Sequence, residues 1–245
     1  MTLDFYFDVV CPWAYLASGQ VEAVARRCGV EVRWRPILLG GLLRMVGAPD
    51  DPNEAMGAAK RRLLARDLER SAARWDVPLR VPDGHPRRTV DAMRLVLAAP
   101  DGPVRAAVAK DLFAAYWARG DDVADARVLA EVGRRHGLAA EAFTASSVRE
   151  GLRTATAEAA AAGAFGVPSF VVGSRLWWGQ DRLPLVERAL GGRPPRPWNP
   201  RGERPTDPAR RATRLSLFHD FASPFSYLAA TQIERIASAR GVTVE

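Results

Sequence analysis

Apolar and polar positions along the chain fall into two strand-bearing segments separated by a long stretch of helical spacing. Residues 3–9 form a nearly unbroken apolar and aromatic run of strand length. Pro12 suits the first turn of a helix, and Leu16, Val21, Val24 and Ala25 carry a single helical face onward to Gly29. Val30, Val32 and Trp34 then alternate with Glu31 and Arg33 as a second strand, so the opening predicts a parallel strand–helix–strand unit. Helical spacing follows. A helix starting at Asp51-Pro52 places Leu64, Leu68, Ala72 and Trp75 on one face; Val90, Met93 and Leu97 mark a second helix. Val104, Val108, Leu112 and Tyr116 mark a third, and Val128 and Val132 a fourth. After Gly163 the pattern returns to β, with Phe170-Val171-Val172, a turn at Gly173-Ser174, and Leu176-Trp177-Trp178. A last helix turns Leu183, Val186 and Leu190 inward and stops at Gly191-Gly192.

The order βαβ, helices, ββα predicts an α/β protein with a thioredoxin-like fold and an inserted α-helical domain. The unit is complete within residues 1–192: βαβ over 1–36, the helical insertion over about 50–155, and ββα over 163–192. Beyond it the chain repeats itself. Residues 3–32 align without gaps to 215–244, with 12 of 30 positions identical. The identities include Asp8/Asp220, Pro12/Pro224, Tyr15/Tyr227, Leu16/Leu228 and Gly29/Gly241. Residues 215–245 therefore read as the first strand and helix of a second unit, and the whole as part of a longer tandem protein. Residues 193–214 hold six prolines and seven arginines with no apolar period, which predicts an extended linker.

Charge looks at first like a nucleic-acid signal, because the 245-residue chain carries a net +7. Its distribution removes that reading. Of the 35 basic residues, all but Lys60 and Lys110 are arginine; the linker carries +5, the first unit +3 and the tail −1. No nucleic-acid partner is expected, and the modest excess in the first unit suits an acidic small molecule. No apolar run approaches the roughly 18–20 residues a membrane span needs, so no membrane partner is expected either. The opening Met1-Thr2-Leu3-Asp4 lacks a basic n-region, and a cytoplasmic location follows as the expectation.

Cys11 is the candidate reactive group. It sits between the end of a strand and the start of a helix, where backbone N–H groups favour a thiolate, its own or one held nearby. Cys11-Pro12-Trp13-Ala14 has alanine at the fourth position, which excludes a C-x-x-C disulfide. Cys28 lies 17 residues on, about 25 Å away along a continuous helix, against the roughly 7 Å that a disulfide allows. His85, His136 and His219 are scattered, so no metal site is expected. Val167-Pro168 precedes a strand. In thioredoxin-like folds that proline is cis and faces the first helix, and the residue before it offers its N–H and C=O to an extended peptide ligand.

These residues carry a resemblance. Phe7-Asp8-Val9-Val10-Cys11-Pro12-Trp13-Ala14-Tyr15-Leu16-Ala17, Gly163-Ala164-Phe165-Gly166-Val167-Pro168-Ser169-Phe170 and Trp178-Gly179-Gln180-Asp181-Arg182-Leu183 are similar to the 2-hydroxychromene-2-carboxylate isomerases. That family is grouped with kappa-class glutathione transferases in the DsbA-like thioredoxin superfamily. Pro36-Ile37-Leu38-Leu39-Gly40-Gly41, Lys60-Arg61-Arg62 with Asp67, and His85-Pro86-Arg87-Arg88-Thr89 fit the same pattern. The resemblance covers residues 1–192. It implies an isomerase that uses glutathione, or another low-molecular-weight thiol, in aromatic catabolism: the thiolate adds to a conjugated double bond, the bond rotates, and the thiolate leaves. It further implies that Val167 and Pro168 pair with the glutathione backbone, that Gln180 and Asp181 hold its ammonium, and that Lys60 faces a carboxylate. Asp181 also fits an N-cap of the last helix, and Lys60 a solvated surface. Pro12, Trp13, Tyr15, His85 and Trp178 are the candidates for lining the aromatic acid's site, although a histidine before Pro86 fits a surface loop better than a cleft. Partners are then this small acid, and a second copy or the tandem unit.

The sequence departs from the family at two points. Cys11 stands where the family has serine, the residue that donates a hydrogen bond to the glutathione sulfur. The asparagine usual after the Gly-Gly loop is displaced, with Gly47-Ala48 in its place and Asn53 further on. The second copy keeps the serine, as Ser223. Cys11-Pro12-Trp13 also resembles DsbA-type oxidoreductases, which leaves open a monothiol oxidoreductase with Cys11 as its nucleophile. A non-catalytic thioredoxin-like scaffold module is the third reading.

Overall fold

Strand β1 (Thr2–Phe7) is apolar on both faces and accordingly lies at the centre of a sheet covered on both sides. It pairs in parallel with β2 (Glu31–Pro36) and antiparallel with β3 (Ser169–Val172), which pairs in turn with β4 (Arg175–Trp178). The order is β2-β1-β3-β4. Phe5 and Phe170 are cross-strand partners stacked at 5.4 Å, and Trp34, registered with Phe5, meets its ring edge-on at 5.1 Å. The computed structural model describes residues 1–49, 56–139, 141–194 and 214–245. Two compact units, Met1–Arg201 and Gly202–Glu245, make up the chain.

Between β1 and β2 the single predicted helix is two: α1 (Pro12–Ser18) and α2 (Val21–Arg27). The break falls at Gly19-Gln20, where polar side chains satisfy carbonyls that a continuous helix would bond internally. Ser18 Oγ donates to the Tyr15 carbonyl at 2.7 Å, and Gln20 Nε2 to the Leu16 carbonyl at 2.8 Å. Hydrophobic spacing ran through the break because Leu16 and Val21 are both fully buried on either side of it.

The helical insertion between β2 and β3 comprises α3 (Leu39–Met45), α4 (Ala58–Trp75), α5 (Val90–Ala98), α6 (Pro103–Ala114), α7 (Ala126–Arg135) and α8 (Ser146–Ala161). The predicted start at Asp51-Pro52 lies outside the described residues. Helices α3 and α8 had no counterpart in the hydrophobic pattern. Helix α8 buries only Leu152, Thr156 and Ala159, too small an apolar stripe to stand out. Tyr116, expected on the α6 face, lies instead in a π-helical turn (Ala115–Arg119) that follows α6 and buries both Tyr116 and Trp117. Helix α9 (Leu183–Ala189) closes the unit as expected. No helix among the described residues is long and apolar enough to cross a membrane.

One ion pair ties α2 to α9. Glu187 is fully buried and accepts two hydrogen bonds from Arg27, at 2.7 and 2.8 Å. Arg27→Met is expected to destabilise the fold by about 1–3 kcal/mol, because it leaves the Glu187 carboxylate without its half-exposed partner. Adding Glu187→Leu should recover most of that loss in urea unfolding.

The second unit is a parallel pair, β5 (Arg214–Leu215) and β6 (Thr243–Val244), connected by α10 (Pro224–Ser238). Ser223 Oγ caps α10, accepting from the Ser226 N–H at 3.3 Å. Most of the predicted linker lies outside the described residues.

Candidate active site

The turn that follows β1 is built by Asp8. Its Oδ1 accepts the Val10 N–H at 3.1 Å, while its carbonyl accepts the Cys11 N–H at 3.1 Å. Oδ2 accepts the Leu39 N–H at 2.9 Å, which fixes the first residue of α3 to the Cys11 loop. Asp8 is almost completely buried. Burial pushes its carboxyl above the usual range, against the lowering effect of hydrogen bonds from Leu39, Val10 and Thr89.

Cys11 is the N-cap of α1, with extended backbone and no side-chain capping bond. Its Sγ instead donates to the Val167 carbonyl at 3.2 Å. Burial pushes the thiol up to about 12; the N–H groups of Ala14 and Trp13 pull it down, and the Asp8 charge raises it further. Cys11 is therefore a thiol at neutral pH and acts as a hydrogen-bond donor. Cys28 is also a free thiol, at the end of α2.

The Val167–Pro168 bond is cis. Its loop is held by Ser169 Oγ, which donates to the Gly166 carbonyl at 2.7 Å, and by the Gly179 N–H, which donates to the Pro168 carbonyl at 2.9 Å. Gly179 has a φ of +107°, so the chain leaving β4 turns sharply beside Pro168.

A cavity of about 700 Å³ opens in front of Cys11. Cys11, Pro12 and Trp13 form one wall, and Leu38, Leu39 and Leu43 give it an apolar side. Arg44, Arg61, His85, Arg87 and Arg88 also line it, so the cavity joins an apolar surface to a concentration of positive charge. The Arg87 guanidinium is turned to the backbone carbonyls of Asp83 and Gly120. Arg88 is paired at 3.6 Å with Asp91.

Cys11, Pro12, Trp13 and His85 thus meet around one space, with Val167, joined in cis to Pro168, against Cys11. Other expected site residues do not line the cavity. Tyr15 points into the core, where its hydroxyl donates to the Pro78 carbonyl at 2.8 Å. It lies one helical turn beyond Cys11, on the face that packs on Phe113 and Trp117. Trp178 packs on Phe165 at 5.0 Å and is 49% exposed, because strand alternation gives the inner face to Trp177. Lys60 is exposed, and its neighbour Arg61, about 100° further round the helix, lines the cavity instead. Gln180 is buried and donates to Gln20 Oε1 at 3.0 Å, bracing the break between α1 and α2. Asp181 makes no capping bond and pairs with Arg182 at 3.0 Å on the surface. Asp8, Arg44 and Arg61 were missed as site residues. Asp8 had a signal, its recurrence as Asp220; Arg44 had none, since α3 was not foreseen.

Residues 2–191 match the family model described as the DSBA-like thioredoxin domain. The chain belongs to the DsbA-like thioredoxin family. Within that family it is similar to the 2-hydroxychromene-2-carboxylate isomerase of Sphingobium xenophagum, at 31% identity over 193 residues, which cover 77% of this chain and 97% of the relative. Glutathione S-transferase kappa 1 of Rattus norvegicus is 25% identical over 207 residues, covering 77% of this chain and 90% of the relative. A solved 2-hydroxychromene-2-carboxylate isomerase superimposes with a TM-score of 0.71 at 28% identity, covering 78% of this chain and 95% of that structure. These relatives are isomerases and glutathione transferases, and this member of the family is an enzyme of the isomerase class.

Proposed function

We propose that the enzyme is a glutathione-dependent isomerase of aromatic-degradation intermediates resembling 2-hydroxychromene-2-carboxylate. The observation that carries this reading is the Cys11 thiol, which lines an arginine-bearing cavity and donates at 3.2 Å to the Val167 carbonyl. A thiol pushed up to about 12 is a poor nucleophile at neutral pH and a usable donor. Cys11 thus takes over the task that the resemblance gives to a serine, which sets this reading above the monothiol oxidoreductase.

The residues present fit glutathione. When bound, it would supply the thiolate that adds to the conjugated double bond and is expelled after the bond has rotated. Cys11 Sγ–H would turn from Val167 to the incoming sulfur, and the Trp13 and Ala14 N–H groups behind it would favour negative charge there. Val167, beside Pro168, would offer its backbone N–H and carbonyl to the tripeptide. Asp181, on the turn that Gly179 fixes to Pro168, would face the ammonium, with Gln180 holding that turn from beneath. Arg44, Arg61 and Arg88 would receive the carboxylate of the aromatic acid, and Trp13 with Leu39 and Leu43 its ring.

The test is the isomerisation of 2-hydroxychromene-2-carboxylate, followed optically with and without added glutathione. A rate that rises and saturates with glutathione is expected. Reduction of a disulfide substrate without isomerisation would favour the oxidoreductase instead.

A further inference from the structure

Two neighbouring arginines of the cavity wall are built into the fold in opposite ways. The Arg87 guanidinium donates to the Asp83 carbonyl at 2.7 and 3.0 Å and to the Gly120 carbonyl at 3.3 Å. Its backbone N–H donates at 3.0 Å to Tyr116 Oη, which also lies 2.8 Å from Nδ1 of His85 at the start of the loop. Tyr116 is fully buried, and the π-helical turn that carries it ends at Gly120, so one turn grips the loop at two points. Thr89, on the other side of Arg88, is buried, and its side chain is hydrogen-bonded to Asp8. Trp117, the next residue of the π-turn, donates from Nε1 to the Val9 carbonyl at 2.7 Å, beside that same Asp8. Residues 85–89 are thus tied to the turn that carries Cys11. Arg88 itself is exposed, and its ion pair with Asp91, at 3.6 Å, is longer than a hydrogen bond.

We propose that Tyr116 and Arg87 are positioning residues for Arg88: their clasp holds Arg88 at the cavity in advance, and so sets the affinity of the site for an aromatic carboxylate. The proposal rests on the reading above, in which Arg88 receives that carboxylate. An arginine on an unanchored loop has to order both loop and side chain when the acid binds, and that cost is subtracted from the affinity. A loop already fixed on both sides of Arg88 leaves only the side chain to order. The carboxylate is present in substrate and transition state alike. The clasp therefore acts on KM and leaves kcat near its parent value.

A double-mutant cycle in the turnover of 2-hydroxychromene-2-carboxylate, with saturating glutathione, tests the clasp. Arg88→Ala is expected to raise KM by about tenfold, and Tyr116→Phe, which loses only the hydroxyl, by about fivefold with kcat within about twofold of the parent. Arg87→Met, which takes the guanidinium from Gly120 and Asp83, should follow Tyr116→Phe. In Tyr116→Phe/Arg88→Ala the two effects should not multiply: KM stays within about twofold of Arg88→Ala alone, because no Arg88 side chain remains to be positioned. A merely structural role would lower stability in urea and leave KM unmoved in Tyr116→Phe and Arg87→Met. That result, or a double variant whose effects multiply, overturns the proposal. If the parent does not isomerise with glutathione, the isomerase reading falls by itself, and calorimetric binding of 2-naphthoate to the full chain repeats the cycle with dissociation constants. There the same non-multiplying pattern supports the clasp. No binding to the parent, or an affinity that Tyr116→Phe leaves unaltered, overturns it.

Discussion

Cys11→Ala is expected to lower glutathione-dependent isomerisation by about 10²–10³-fold, while Cys11→Ser keeps the rate within about tenfold of the parent. Alanine removes the side-chain donor placed where the external sulfur would sit. The loss has the size seen when a preorganised donor to a developing anion is deleted. Serine restores an O–H at nearly the same position, and as a stronger donor than S–H it can raise the rate. Glutathione affinity should change less than kcat, because Val167 and the turn at Gln180 and Asp181 are intact in both variants. Steady-state kinetics at varied glutathione measure both quantities. A serine variant as inactive as the alanine variant would mean that the sulfur of Cys11 itself reacts.

The second large effect is the pH dependence of the Cys11 thiol. With its pKa pushed from an ordinary 9.0 to about 12, its alkylation at pH 7 is expected to be about 10³-fold slower than that of an exposed cysteine. The rate should then climb about tenfold per pH unit until the fold gives way. Stability moves in the opposite direction. The folded state holds this proton more tightly than the unfolded chain, so the contribution of Cys11 is intact below about pH 9. Above that it is lost by about 1.4 kcal/mol per pH unit, up to about pH 12. Cys11→Ser, with no group titrating there, should lack this slope in urea unfolding between about pH 9 and 11.

Much of this was legible in the sequence, for identifiable reasons. Strands β1, β3 and β4 announced themselves through apolar runs and the Gly173-Ser174 turn, and β2 through the alternation of Val30, Val32 and Trp34 with charged residues. The thioredoxin-like order of elements implied that Pro168 faces the helix that Cys11 starts, and the thiol–carbonyl contact joins Cys11 to Val167 across 156 residues of sequence. The break in the first helix escaped notice because it is enforced by side-chain hydrogen bonds from Ser18 and Gln20, while the apolar face passes through uninterrupted. Helix α8 escaped because alanine and threonine bury well but carry little hydrophobic contrast. At the site, backbone-defined features transferred best. Side-chain roles such as those of Lys60, Tyr15 and Trp178 depended on which way one residue faces, and a step of one position exchanged Lys60 for Arg61.

The central claim is that Cys11 serves as a donor to an external thiolate, and ultraviolet difference spectroscopy at neutral pH tests it most directly. The free chain should show no thiolate absorption band from Cys11. Saturating glutathione should produce a band in the parent and an equal one in Cys11→Ser, because the absorbing sulfur belongs to glutathione. A band already present in the free chain, and missing from Cys11→Ser with or without glutathione, would contradict the account.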